Sequence, residues 1–593
     1  MKKTKLFALA FAALALGACS NDDIVDQQGG STVNPGEQGY ISVALNLPTQ
    51  PTSRANDAYD DGLPVEYKVN DATLLLFKGA NEASATFASA YDLDVTGFAP
   101  QAPADDQITS NATLVKEITK PSTTEGENIY ALVVINDNGL LTVNGDETAT
   151  LAGTSLVGKS FKDFSEQALT LASAADLTDD GFFMSNAPLS NVAGGAVAAA
   201  PQATVTTLAT IDPTAICSTM AEASSRPAAT IYVERAVAKV TVNATDAETV
   251  TGGNPKLAGY EVEGWTFNVE NTKTYAVRNV ADADWWGYTK AGATADYRFI
   301  GSVPVATGLY RTYWGYDPNY SSYVAADFVD KGSEELDNTT LLGFGENNPG
   351  YCLENTFDIA NQIENRTTAV VVKAKLKVTG AEADGTFYTV NGNTSTIYQK
   401  AGVENLVKTR IMDWLNANKA TYIESGTVGG DELVVTLSNA TTDKGGIITV
   451  ASVVLPEEAA TDITFVDGQD LDALNTAIAA QVAGSINGGT SPLEISYYKD
   501  GYAYYDIKIQ HFGDDQTPWA QDGQDGYTTA ADFLGRYGAL RNNWYDITVT
   551  GIKNIGSASV PDVTADWDDP EDNYIAVSIN ILSWAKRVQS ADL

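Results

Sequence analysis

The chain has 593 residues, long enough for more than one domain, and 44% of them are hydrophobic, ample for sizeable cores. Its formal net charge of -40 argues against nucleic acid as a partner, because phosphates demand clusters of Lys and Arg. A single histidine excludes a histidine metal cluster, and three cysteines without a CxxC spacing argue against a zinc or redox unit.

In chain order, Lys2, Lys3 and Lys5 form a basic n-region, and Leu6 to Leu16 form an apolar run too short to span a bilayer. The run ends in Leu16-Gly17-Ala18-Cys19, which resembles the lipobox where bacterial enzymes attach diacylglycerol to the thiol. Residues 1–19 are therefore expected to be a lipoprotein signal peptide with Cys19 as the lipidated residue. The acidic run Ser20-Asn21-Asp22-Asp23 resembles the signal that sends lipoproteins of the Bacteroidetes to the outer surface. No later stretch reaches the roughly 18 apolar residues of a membrane helix, so lipid is the expected attachment to the outer membrane.

Residues 20–38 are polar, Gly-rich and without periodicity, as in a flexible tether. The segment Tyr40 to Leu47 then alternates, with Ile41, Val43, Leu45 and Leu47 on one face, and is predicted to be a half-buried strand. It stops at Pro48, and the polar stretch around Arg54 and Ala55 is predicted to be an exposed loop open to a protease. Arg54 is the only arginine before Arg226. Residues 20–54 are accordingly expected to be a propeptide that carries a removable strand.

Further strands are predicted over Ala72 to Phe77, Ile129 to Asn136, Thr230 to Val242, Gly264 to Val269 and Thr367 to Val378, most of them β-branched and bounded by Gly, Asn, Asp or Pro. In the last of these the apolar face is set against Lys373, Lys375 and Lys377, which predicts a partly wet opposite face. A domain change is expected between residues about 225 and 245, which divides the chain into 55–235 and 236–593. Two segments break the β rhythm: Val403, Leu406, Val407, Ile411 and Leu415 recur at helical spacing, as do Leu471, Leu474, Ile478 and Val482 after a candidate Asp470 N-cap. Both are predicted to be helices packed on a sheet. At the C-terminal end, Tyr545 to Val549 is a strand, 554–572 a Gly/Pro/Asp-rich connection, and Tyr574 to Trp584 a long final strand with Ile575, Val577, Ile579 and Ile581 on one face.

Parts for catalysis are missing. The lone His511 ends a predicted strand, and no G-x-S-x-G elbow, P-loop or G-x-G-x-x-G turn accompanies it, so packing or hydrogen bonding is its expected role. The acidic clusters Asp514-Asp515, Asp522 to Asp525 and Asp566 to Asp572 lack the twelve-residue EF-hand spacing and read as solvated loop charge. For Cys217 and Cys352, pairing and burial as small hydrophobes both stand open, with burial preferred. No catalytic residue, metal or cofactor is expected. The runner-up reading from another class is a surface glycan-binding lipoprotein, with Trp285, Trp286, Trp314 and Trp519 as candidates for a sugar platform.

Several segments together resemble one family. They are the lipobox, Ile129-Tyr-Ala-Leu-Val-Val-Ile-Asn136, Gly181-Phe-Phe-Met-Ser-Asn186, Val233-Glu-Arg-Ala-Val-Ala-Lys-Val240, Tyr310-Arg-Thr-Tyr-Trp-Gly315, Tyr351-Cys-Leu-Glu-Asn-Thr-Phe357, Tyr537-Gly-Ala-Leu-Arg-Asn-Asn-Trp-Tyr545 and Ile579-Asn-Ile-Leu-Ser-Trp584. In this order they resemble the Mfa-type fimbrillins, shaft subunits of the type V pili of Bacteroidetes. The resemblance implies a mainly all-β chain of two transthyretin-like β-sandwich domains with a few short helices. It also implies export as a lipoprotein, and removal of an N-terminal segment by an arginine-specific protease, for which Arg54-Ala55 stands in place. The implied partners are copies of the chain itself and anchor and tip subunits, in a cell-surface fimbrium that mediates adhesion. Removal of the strand holding Ile41, Val43, Leu45 and Leu47 would open a groove, and the row Ile575, Val577, Ile579 and Ile581 would suit it as a donor strand from a neighbour.

Overall fold

The structure is a computed structural model that describes residues 33–46, 63–96, 111–193, 205–280, 299–306, 308–332, 336–439, 444–512, 517, 534–568 and 575–582. The chain is mainly β, as expected, with a few helices, of which Lys400–Tyr422 is long. Cys19, Leu47, Arg54, Ala55, Trp285, Trp286 and Trp519 lie outside the described residues, as do the acidic clusters at 514–515 and 522–525.

The first sheet contains, in spatial order, Thr86–Asp92, Ala72–Gly79, Asn128–Ile135, Met184–Asn186, Ala229–Arg235, Gln38–Asn46 and Asn111–Thr119. Its apolar residues, from Ile41 through Leu132 to Val233, meet Phe161, Phe164 and Phe182 in one core. A second core lies between two sheets. One runs Gly350–Leu353, Val237–Asn243, Trp544–Ile552, Ile575–Leu582; the other runs Leu257–Asn268, Ala369–Val378, Tyr502–Lys508. Val240, Val242 and Ile547 from the first of these sheets share that core with Trp265, Val372 and Ile507 from the second, which makes it a β-sandwich.

The predicted strand Thr230 to Val242 is two strands, Ala229–Arg235 and Val237–Asn243, which break at Ala236 and join different sheets. The correction has a physical reason: every residue from Val233 to Val242 is buried, charged ones included, so the pattern on either side of Ala236 carries no mark of the break. The halves of the chain also interlock, because Lys273–Tyr275 pairs with Ala168–Thr170, and Leu309–Thr312 with Leu189–Ser190.

The helical spacing is borne out in Lys400–Tyr422 and Leu471–Gln481, with the Asp470 side chain accepting the Ala473 N–H at 2.7 Å. The two helices pack on a small sheet that includes Phe387–Val390 and Ile495–Tyr498, and close a third core of their own. Lys373 departs from the expected wet face. Its ammonium is buried and donates to Leu336 O and Asn338 Oδ1, each at 2.7 Å, so both faces of that strand are covered at this position.

Candidate functional site

The predicted removable strand is Gln38–Asn46, hereafter the leading strand. It is flanked on both sides. Antiparallel pairing with Asn111–Thr119 runs from Gln38 opposite Thr119 to Asn46 opposite Asn111, and parallel pairing with Ala229–Arg235 runs from Val43 opposite Ala229 to Asn46 opposite Tyr232. Ile41, Val43 and Leu45 are each 1% exposed, which places the alternating face in the first core as expected. At about 1.5 to 3 kcal/mol for each fully buried aliphatic side chain, these three anchor the strand alongside its ladders.

The other face is closed by the short helix Met220–Ser225, where the buried Ser42 hydroxyl donates to Ala223 O. Beside it, Tyr40 and Cys217 exchange backbone hydrogen bonds of 2.7 and 2.9 Å. The slot occupied by the leading strand is therefore lined by backbone donors and acceptors on both edges, apolar on its floor and narrow on its roof at Ser42.

The predicted donor segment is in place in its own domain. Ile575–Leu582 pairs antiparallel with Trp544–Ile552, from Ile575 opposite Ile552 to Leu582 opposite Trp544, with Ile579 opposite Ile547. It stands at the end of its sheet, with one ladder among the described residues, where the leading strand holds two. The connection before this edge strand is itself anchored where it is described: Ser557 and Tyr504 exchange backbone hydrogen bonds and Val560 is buried, so release of the strand is confined to residues after Asp568.

Between the two cores lies a buried polar seam that the sequence reading did not assign. Arg278 reaches both oxygens of Glu234 at 3.0 and 2.8 Å, with side chains 0 and 2% exposed, and donates to the carbonyls of Thr312 and Arg541. Arg541 pairs with Glu354 at 2.9 Å and donates to Thr274 and Tyr275. Alongside, the Lys239 ammonium sits 2.8 Å from Glu66 and 3.9 Å above the Trp544 ring, while the Tyr351 hydroxyl donates to Glu66 at 2.5 Å. Burial pushes the Glu234 carboxyl up, and the guanidinium groups of Arg278, Arg541 and Arg311 oppose that rise.

Most of these groups come from the motifs that carried the family resemblance, Glu234 and Lys239 from one, Glu354 and Tyr351 from another, Arg541 and Trp544 from a third, while Arg278 and Glu66 lie outside them. A charge set in a continuous apolar strand, as at Glu234 between Val233 and Val237, was the available signal.

A comparison with family models matches residues 496–590 to "Major fimbrial subunit protein type IV, Fimbrillin, C-terminal". Residues 496–590 are thus similar to a fimbrillin C-terminal region. The matched region contains Tyr502–Lys508, Trp544–Ile552 and the candidate donor Ile575–Leu582, hence strands from both sheets of the second sandwich, and it supplies Arg541 to the seam.

No curated protein matches the chain. Among solved structures, a cell-adhesion candidate from Parabacteroides distasonis is similar at 12% identity and a TM-score of 0.33, covering 93% of this chain and 99% of that one. Another from Bacteroides eggerthii has 12% identity, a TM-score of 0.32 and coverages of 94% and 98%. The tip fimbrial protein of Porphyromonas gingivalis, C-terminally truncated, has 12% identity, a TM-score of 0.25 and coverages of 92% and 100%. Likeness at this level supports no inference about this chain.

Other sequence candidates fall within the cores. His511, in the fimbrillin region, is buried, with its Nδ1 2.8 Å from the Tyr545 hydroxyl, a hydrogen-bonding place as expected. Trp314 is fully buried against Phe299 and Phe512, which removes it as a sugar platform. Cys217 and Cys352 are free thiols, Cys352 buried and Cys217 partly exposed. Of the acidic cluster at 566–572, Asp568 is buried and accepts from Thr367 at 2.8 Å, so it is not solvated loop charge.

Proposed function

We propose that the chain is a structural subunit of a cell-surface fimbria, exported as a lipoprotein through Cys19, cleaved after Arg54, and polymerised by strand exchange to mediate adhesion. One observation carries this reading. The strand that precedes Arg54 fills a two-sided slot in the first sheet, and the only chain link between it and the rest of the subunit is the segment that holds Arg54. One cut there converts a covalent part of the fold into a dissociable peptide and leaves two open ladders over an apolar floor.

The replacement comes from the last strand of a neighbour, with Ile575, Val577, Ile579 and Ile581 as the apolar row. The contact is head to tail and so generates open fibres instead of closed dimers. The role is mechanical and needs no catalytic residue, metal or cofactor. Its partners are copies of the chain, anchor and tip subunits, an arginine-specific protease, and the outer membrane through lipid on the precursor. The fimbrillin region at 496–590 supports the assignment to a fimbria.

Sequencing the N-terminus of assembled fibres tests the cut. Subunits are expected to begin at Ala55, and Arg54→Ala precursors to be secreted but unassembled; fibres that start at Ser20 or retain Tyr40 would refute the scheme. Lipidation is tested separately. Radiolabelled palmitate is expected to enter the wild-type precursor and to be absent from Cys19→Ala, and equal labelling of the two would end that part of the proposal.

A further inference from the structure

The leading strand and the chain's last strand share more than a period of two. Tyr40-Ile-Ser-Val-Ala-Leu-Asn-Leu47 and Tyr574-Ile-Ala-Val-Ser-Ile-Asn-Ile581 are identical at Tyr, Ile, Val and Asn, and differ only by Ser for Ala, Ala for Ser and Ile for Leu. In the structure the two segments lie in different sheets with different neighbours. Membership of a common sheet therefore does not account for the match.

Position by position, the slot explains it. The floor takes Ile41, Val43 and Leu45, each 1% exposed, and the repeat offers Ile575, Val577 and Ile579. The roof at Ser42 is fully buried beneath Met220–Ser225, where a large side chain would overpack, and the repeat offers Ala576. Ala44 is half-buried, and the counterpart is Ser578. Tyr40 and Asn46, at the two ends, have Tyr574 and Asn580.

A shift by two would lay Asn580 on Ala44 and Leu582 on Asn46, with one identity left, at Ser578 on Ser42. The match also has a limit. Asn573 would stand at Gly39, where a Cβ meets Val33 at 2.7 Å and the Cys217 carbonyl oxygen at 3.1 Å. Val33 leaves with the cleaved segment, so the second contact is the one that marks where close replacement ends.

We propose that residues 574–580 of one subunit copy the leading strand residue for residue in the next, Tyr574 at the place of Tyr40 through Asn580 at the place of Asn46, in the same direction. This rests on the strand-exchange reading above and adds its register and polarity. The donor then runs antiparallel to Asn111–Thr119 and parallel to Ala229–Arg235, with Ser578 opposite Thr113 and Thr230, and Tyr574 opposite Glu117 and Cys217.

The Cys217 position supplies a built-in reporter. Tyr40 and Cys217 exchange both backbone bonds, a pairing that sets Cα atoms about 5.5 Å apart, within the range a disulfide spans. Fibres assembled from Tyr574→Cys subunits and oxidised with copper phenanthroline are expected to show reducible links between successive subunits, lost in Tyr574→Cys with Cys217→Ser and absent from Ala576→Cys.

A second probe leaves Tyr574 intact: Ser578→Cys donors mixed with Thr113→Cys acceptors are expected to link, whereas Asn580→Cys donors with the same acceptors are not. Links from Ala576→Cys to Cys217, or from Asn580→Cys to Thr113→Cys, would overturn the register while leaving exchange in place. No link from any of these positions, in fibres that also survive truncation after Asp572, would overturn exchange itself.

Discussion

Ending the chain after Asp572, or changing Ile579→Asp, is expected to give secreted subunits that are cleaved at Arg54 and do not polymerise, with loss of the detergent-resistant ladder on unheated gels. The reason lies in the floor of the slot. Ile579 would take the place of Leu45, which is 1% exposed in the first core. A carboxylate there must either enter an apolar site unpaired or stay out and leave the two ladders unfilled, and either outcome costs several kcal/mol.

The subunit itself tolerates the change better, because Ile575–Leu582 is an end strand with one ladder among the described residues. Circular dichroism and thermal unfolding check that the monomer is folded. A rescue separates loss of the donor from loss of the fold: replacing residues 574–581 by the sequence of residues 40–47 is expected to keep polymerisation. Ladders that persist in both the truncated and the Ile579→Asp proteins would assign the C-terminus to its own core alone.

How much of this could be read in advance depends on where the information lies. The leading strand was legible because one of its faces is buried and the other is mostly half-covered, so alternation survives in Ile41, Val43 and Leu45. The helices at 400–422 and 471–481 were legible for the same reason at a different period, and the Asp470 cap is a local device. The break at Ala236 was not, since every residue from Val233 to Val242 is buried, on either side of it. Lys373 misled because the loop around Leu336 that covers it is distant in sequence.

The seam was the least legible. Its partners are 44 residues apart for Arg278 and Glu234 and 187 apart for Arg541 and Glu354, so no local pattern pairs them. What the sequence did contain was motifs that mixed charge with apolar strand, and these supply Glu234, Lys239, Glu354 and Arg541, whereas Arg278 and Glu66 come from segments with no such mark.

That seam carries the second large effect. Arg541→Met is expected to lower the stability of the subunit by about 3 to 5 kcal/mol, the usual result of removing one partner of a buried pair and leaving the other uncompensated. Glu354 is 0% exposed and loses its guanidinium, and Thr274 Oγ1 and the Tyr275 carbonyl lose a donor at the same time. The double variant Arg541→Met with Glu354→Leu removes both charges and is expected to recover a large part of the loss, because an apolar pair of similar volume carries no desolvation penalty.

The seam also joins residues of the first core's strands, such as Glu234, to the second sandwich through Arg541, so wild type is expected to unfold as one unit and Arg541→Met to show two separated transitions. Urea titration followed by tryptophan fluorescence and by far-ultraviolet circular dichroism measures both. A single transition in Arg541→Met within about 1 kcal/mol of wild type would mean that the charges are tolerated and do not couple the cores. A double variant less stable than the single one would mean that an apolar side chain at position 354 packs worse than an unpaired carboxylate, and that the pair's desolvation is not the dominant cost.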